Sequence, residues 1–159
     1  MNESPAKEIA DWTREEPRQF WDPGRKLLRT IRSYQRWQQE KGVTARFFLK
    51  WLVIRHRFWS AITGADIPLN CNIGGGLLIP HPNGIVIHPD AWIGVNCLIF
   101  QQVTIGTRNG GELPRIGDHV DIGAGAKILG RVEIGTRARI GANAVIIKDV
   151  ESGAVAVGR

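Results

Sequence analysis

Hydrophobic positions in the C-terminal half of this chain recur every sixth residue: Ile116, Ile122, Ile128, Ile134, Ile140 and Ile146. Four residues after each comes a small or β-branched side chain, namely Val120, Ala126, Val132, Ala138, Ala144 and Val150. Glycine follows four of the isoleucines directly, at Gly117, Gly123, Gly135 and Gly141. A period of six fits neither the helical turn of about 3.6 residues nor the alternation of a simple strand. It predicts a β-helix of hexapeptide units, three units to a roughly triangular coil. In that reading the isoleucine points inward, the small residue packs behind it, and the glycine permits the corner.

The same rhythm extends toward the N-terminus with two breaks. Ile67, Ile73, Ile79 and Ile85 keep step, and Ile87, Ile93, Ile99 and Ile105 keep step in a new phase. The phase slips between Ile85 and Ile87, beside Pro80-His81-Pro82-Asn83-Gly84, and again between Ile105 and Ile116. The second break, residues 106–115, is rich in Gly and Asn and closes at Pro114, the composition of a loop expelled from the coil. Insertions in solenoids gather on one face, and that face often binds ligands. Residues 66–159 are therefore expected to form a mainly β domain with an excursion at 106–115.

Residues 1–65 read differently. Stretches from Arg25 to Glu40 and from Thr44 to Ile62 have helical spacing, with Gly42 as a break and Gly64 as a stop. This region holds 13 Lys/Arg against 7 Asp/Glu, whereas residues 66–159 hold 8 of each, so the whole formal charge of +6 lies in the N-terminal part. Five of the six tryptophans are there too. The second stretch is too interrupted by charge to span a bilayer. One reading packs these helices over the open end of the β-helix. The other makes them a basic, aromatic surface for an anionic membrane or polymer. Nothing resembles a base-reading module, and no nucleic-acid partner is expected.

With 159 residues, 43% hydrophobic, the chain suits one compact domain and not a disordered segment. Cys71 and Cys97 occupy the small buried position of their hexapeptides and read as reduced thiols. Together with an N-terminus that lacks an apolar leader, they place the expectation in the cytoplasm, at the inner membrane surface if the basic region meets lipid.

The run from Ile105 to Ile146, with its Gly-rich loop and Ile122-Gly123-Ala124-Gly125-Ala126-Lys127-Ile128-Leu129-Gly130, resembles the serine acetyltransferase family of hexapeptide acyltransferases. So does Gly84-Ile85-Val86-Ile87 following His81. The resemblance covers residues 66–158 well and the helical region from Asp11 loosely. It implies a left-handed parallel β-helix preceded by helices, an exception to the right-handed crossover rule. It also implies a homotrimer with acetyl-CoA, as co-substrate, in the groove between subunits.

Acetyl transfer from a thioester to a hydroxyl needs a base to take the hydroxyl proton and donors to steady the tetrahedral oxyanion. Four histidines are available. His56 among arginines, His88 at a hexapeptide corner and His119 in a regular coil read as surface or corner residues. His81 sits at the phase slip, and the resemblance assigns it as general base. The resemblance likewise makes Asp66 its orienting carboxylate, in a Ser-His-Asp arrangement whose nucleophile is the acceptor itself. A coil of about eighteen residues returns the chain one strand spacing away, so the contact is feasible; Asp66 also reads as a turn residue after Gly64.

For the acyl donor the resemblance points to Gly106, Thr107, Ala124, Ala142, Arg139 and Lys148. Small residues would admit the pantetheine arm, amides near Gly106 and Thr107 would face the thioester oxygen, and Arg139 or Lys148 would meet a phosphate. β-Helix packing explains the glycines and alanines equally well. The acceptor positions are Asp11, Pro80, Glu112 and Leu113, and at the last three the chain departs from the family. Glu112 and Leu113 replace an Arg-His pair ahead of Pro114-Arg115-Ile116, and Pro80 replaces an aspartate before the catalytic histidine. A carboxylate in place of a guanidinium repels serine's carboxylate. The expectation is thus an acetyl-CoA-dependent O-acetyltransferase acting on a sugar or polysaccharide-precursor hydroxyl, with serine O-acetylation or a catalytically silent scaffold as alternatives. No cysteine synthase partner is expected, since the long tail that binds it in some family members is missing after Arg159. No metal is expected either, because His81, His88 and His119 lack a convincing ligand spacing.

Overall fold

The computed structural model describes residues 8–158. A 3-10 turn, Trp12–Glu15, precedes helix α1 (Pro23–Trp37) and helix α2 (Val43–Thr63). α1 starts two residues before the expected boundary. The Asp22 side chain accepts the Arg25 N–H at 3.4 Å, and Pro23 occupies the first turn, where its missing donor costs nothing. α2 ends at Gly64 in the left-handed conformation, φ 65°, as the glycine stop predicts.

Twelve short strands follow: β1 (Asn72–Ile73), β2 (Val86–Ile87), β3 (Trp92–Ile93), β4 (Leu98–Ile99), β5 (Thr104–Gly106), β6 (Arg115–Ile116), β7 (Asp121–Ile122), β8 (Lys127–Leu129), β9 (Glu133–Ile134), β10 (Arg139–Ile140), β11 (Val145–Ile146) and β12 (Val155–Ala156). They form three parallel sheets. Face one is β1-β3-β6-β9, face two is β4-β7-β10-β12, and face three is β2-β5-β8-β11. The chain visits faces one, two and three in turn and returns one rung on, which makes a left-handed parallel β-helix. The first turn of the helix is two residues longer than a regular one, because Asp66 pairs with Val86 while Val86 pairs with Thr104. The 106–115 excursion leaves no mark on the ladder, since Trp92 pairs with Arg115 as if nothing intervened.

All the repeat isoleucines are buried, from Ile67 at 0% exposure to Ile73 at 9%. Each contributes about 1.5–3 kcal/mol by burial, so the stack is the dominant stabilising element. The role of the glycine after each isoleucine differs from the sequence expectation. These glycines do not supply the left-handed corner residue. They lie flat against the next rung, and a Cβ on Gly74 would come within 2.6 Å of the Gly94 carbonyl carbon, one on Gly117 within 2.7 Å of the Thr136 nitrogen. The corner is turned two residues later, by Gly76, Asn96, His119 and Arg137 between faces one and two, all at positive φ. Asn and His reach that region with the least strain after glycine.

α1 closes the open end of the prism. Leu27, Leu28 and Ile31, with Trp59 of α2, belong to the same core as the isoleucine stack. Arg32 of α1 donates to the carbonyls of Ile73 and Gly74 at 2.7 Å each, and pairs with buried Glu15 at 2.9 Å. Glu15 in turn accepts the Leu77 N–H at 3.1 Å. The end-capping reading therefore holds for α1, whereas α2 rests on α1 and leaves a large apolar stripe in solvent. Among the described residues, no helix is long and apolar enough to cross a membrane.

Candidate functional site

His81 stands at the corner between faces two and three, in the extra residues of the first turn. That corner is pinned from both sides. The Gly84 N–H reaches the Gly64 carbonyl at 2.8 Å, and the Ile85 N–H closes a turn onto the Pro82 carbonyl at 3.2 Å. From the next rung, Gln102 donates its backbone N–H to the Asn83 carbonyl at 2.9 Å and its side-chain amide to Asn83 Oδ1 at 2.9 Å. Asp66 begins face three on the other side: its N–H bonds the Ile85 carbonyl at 2.8 Å and its carbonyl accepts from Ile87 at 3.0 Å. The fold thus sets Asp66 and the His81 turn on adjoining backbone. Both side chains are exposed, and within the single chain no hydrogen bond joins the carboxylate to the imidazole. The direct contact expected from the sequence is not made in the protomer.

The donor residues named from the sequence divide among three places. Ala124 and Ala142 lie on the His81 corner on later rungs, linked through the Asn143 N–H to the Ala124 carbonyl at 2.8 Å. Gly106, Thr107 and Lys148 lie at the opposite edge of face three, where the Gly106 carbonyl takes the Gly130 N–H at 3.0 Å. Space beside Gly106 is open, with no heavy atom within 4 Å of an added Cβ. Arg139 is an exposed residue of β10 on face two, so in one chain it cannot join Lys148 on a common surface. Each hexapeptide turns the chain by one face, and equivalent positions in successive units therefore point in different directions.

The acceptor positions separate similarly. Asp11 is a cap: its carboxylate accepts from the Thr13 N–H at 3.1 Å and hydroxyl at 2.6 Å, and its own N–H bonds Asn96 Oδ1 at 2.7 Å. That places it at the corner between faces one and two, away from His81 within the protomer. Pro80 adjoins His81 in solvent. Glu112 pairs with Arg131 at 3.0 Å, and with Leu113 it borders a cavity of about 400 Å³ that also contains Trp92. A second cavity, about 430 Å³, opens on face one between Trp92, Arg115 and Glu133. His81 lines neither of them.

Of the other histidines, His88 and His119 stand at corners as expected, whereas His56 is more than a surface residue. His56 donates from Nε2 to the Ile67 carbonyl at 2.8 Å and ties α2 to the first turn of the β-helix. His119, half-buried at φ 54°, lies 3.3 Å from a Glu8 carboxylate oxygen. His81, His88 and His119 occupy three different corners of the prism and do not meet within the protomer. Asn83 and Gln102 escaped the sequence reading, because a glutamine at φ 62° leaves no signature in a hexapeptide. Both cysteines are buried as expected, and burial pushes the Cys71 thiol up to about 11 and the Cys97 thiol to about 12.

Residues 114–148 match the family model for the bacterial transferase hexapeptide (six repeats). The serine acetyltransferase of Mycobacterium tuberculosis is 44% identical over 104 residues, which cover 64% of this chain and 45% of that protein. That of Synechococcus elongatus is 41% identical over 100 residues, covering 61% and 41%. Over its hexapeptide-repeat region this chain is similar to the serine acetyltransferases. The fold is similar to theirs: soybean serine acetyltransferase superposes with a TM-score of 0.72 at 33% identity, covering 86% of this chain and 55% of that one. The Neisseria gonorrhoeae enzyme, solved in complex with serine, gives 0.71 at 34% identity, covering 87% and 56%. The chain spans about half the length of the relatives it matches.

Proposed function

We propose that this chain is an acetyl-CoA-dependent O-acetyltransferase that works as a homotrimer, with His81 as general base and Asp66 as its orienting carboxylate. The observation that supports this most is the His81 corner itself. An extended first turn, anchored to Gly64 on one side and to Gln102 on the other, holds an exposed imidazole beside the strand that begins with Asp66. An exposed corner with no cavity of its own suits a site completed by a neighbouring protomer, where donor residues split between two edges of one chain could meet.

His81 takes the proton of the acceptor hydroxyl as its oxygen adds to the thioester carbonyl. The tetrahedral intermediate then collapses, the carbon–sulfur bond breaks, and the imidazolium returns the proton to the departing thiolate. An O-acetyl ester and a free thiol result. A positioned base of this kind is worth about 10²–10⁴-fold in rate.

L-Serine is the acceptor that the relatives favour, and Arg131 supports it. Its guanidinium, 3.0 Å from Glu112, stands at the end of the excursion and offsets the carboxylate that would repel an amino acid. The sugar hydroxyl expected from the sequence finds no support among the relatives, and rests on the departures at Pro80, Glu112 and Leu113. Thiol release from acetyl-CoA with serine, compared with sugars and oligosaccharides, separates the two. Turnover with serine that loses affinity for serine alone in Arg131→Gln upholds the first reading. Turnover confined to sugars overturns it.

A further inference from the structure

Helix α2 carries a continuous row of apolar side chains that the described residues leave exposed. Val43, Phe47, Trp51, Ile54, Phe58 and Ile62 follow one another at intervals of three or four residues, and each is between 44% and 83% exposed. They form one stripe along 21 residues of helix, while the opposite side, with Ala45, Leu52 and Trp59, is buried. A stripe of this width belongs to a surface that meets another apolar phase.

The charge beside it selects the phase. Arg46, Lys50 and Arg57 recur along one border of the stripe and are all exposed. α2 holds four Lys/Arg and α1 five, and neither helix holds an Asp or Glu. Arg55 is crowded enough that burial, and then the charge of Arg29, lower its pKa from the ordinary arginine value. A second copy of α2 laid on the stripe would bring one acid-free cationic helix against another, which like-charge repulsion opposes. An anionic lipid surface satisfies both features at once, taking the apolar stripe into the acyl boundary and the cations among the headgroups. Trp51 and the phenylalanines suit that depth.

We infer that the exposed face of α2 is a membrane-docking surface that lies in the plane of an anionic bilayer. The partner is the bilayer itself and is independent of which acceptor is acetylated.

Co-sedimentation of the full chain with phosphatidylcholine vesicles, with and without phosphatidylglycerol, tests it. The wild type is expected to pellet with the anionic vesicles and not with the neutral ones. Phe47→Gln combined with Phe58→Gln, both at exposed positions, should abolish pelleting while leaving the thermal melt and thiol release unchanged. Arg46→Gln, Lys50→Gln and Arg57→Gln together should weaken it by roughly a hundredfold, from about fivefold per cation at a lipid surface. Absence of wild-type binding to anionic vesicles, or equal binding by the apolar variant, overturns the inference. A lower oligomer mass of the apolar variant in sedimentation without vesicles also overturns it, in favour of a second copy as the occupant.

Discussion

Gln102 grips Asn83 twice, through its backbone N–H and its side-chain amide, both at 2.9 Å. The pair ties the His81 turn to the rung below and fixes where the imidazole stands. Gln102→Leu removes one of the two bonds at an exposed position, so the melting temperature should barely change. The turn loosens, and a misplacement of about 1 Å costs on the order of a hundredfold in rate. Steady-state kinetics should show a lower kcat at an unchanged KM for acetyl-CoA. A drop in KM affinity alone would assign Gln102 to donor binding instead.

Two glycine substitutions should part sharply. Gly117→Ala drives a methyl group to 2.7 Å from backbone in the next rung, where nothing can yield, and should destabilise by about 1–3 kcal/mol or more. Gly106→Ala meets open space at ordinary φ and should stay within about 0.5 kcal/mol of wild type. Denaturant melts of the two variants check the contrast.

Arg32 and Glu15 close the first turn as a pair. Arg32→Met strands a buried carboxylate and frees the Ile73 and Gly74 carbonyls, a loss of about 3–5 kcal/mol for a buried pair broken on one side. Replacing both partners, as in Arg32→Met with Glu15→Leu, should recover part of the lost stability in thermal unfolding, since no unpaired charge is left behind.

The thiols give a pH dependence with a definite sign. Burial raises Cys71 from 9.0 to about 11 and Cys97 to about 12, because the thiolate is disfavoured in the core. A group raised in the folded state contributes its full stability below its unfolded value, and that contribution is lost as pH climbs from 9 toward 11 and 12. Unfolding free energy should therefore fall in that window, and Cys97→Ala should flatten the fall. At neutral pH neither thiol should react with Ellman's reagent until the chain is unfolded.

Much of the fold was legible because a six-residue period admits few solutions: each isoleucine from Ile67 to Ile146 points inward as the repeat requires. The phase slip at His81 and the excursion at 106–115 were visible as breaks in that rhythm, and both are loops at corners. What the sequence hid was three-dimensional. The glycines after isoleucine read as corner residues, yet the constraint on them is the backbone of the next rung, which no linear pattern displays. Arg139 and Lys148 read as alternatives for one phosphate contact, and the linear pattern does not display that they project from different sides of the prism. Asp11 looked available and is consumed in capping the Trp12–Glu15 turn.

The central claim is that the corner imidazole performs the chemistry. Thiol release from acetyl-CoA by His81→Ala, measured with the acceptor that the wild type turns over, tests it most directly, alongside a melt and a sedimentation run to show that fold and assembly are intact. The expected result is a loss of about 10²–10⁴-fold in kcat with the protein otherwise unchanged. Wild-type turnover by a well-folded His81→Ala protein would contradict it.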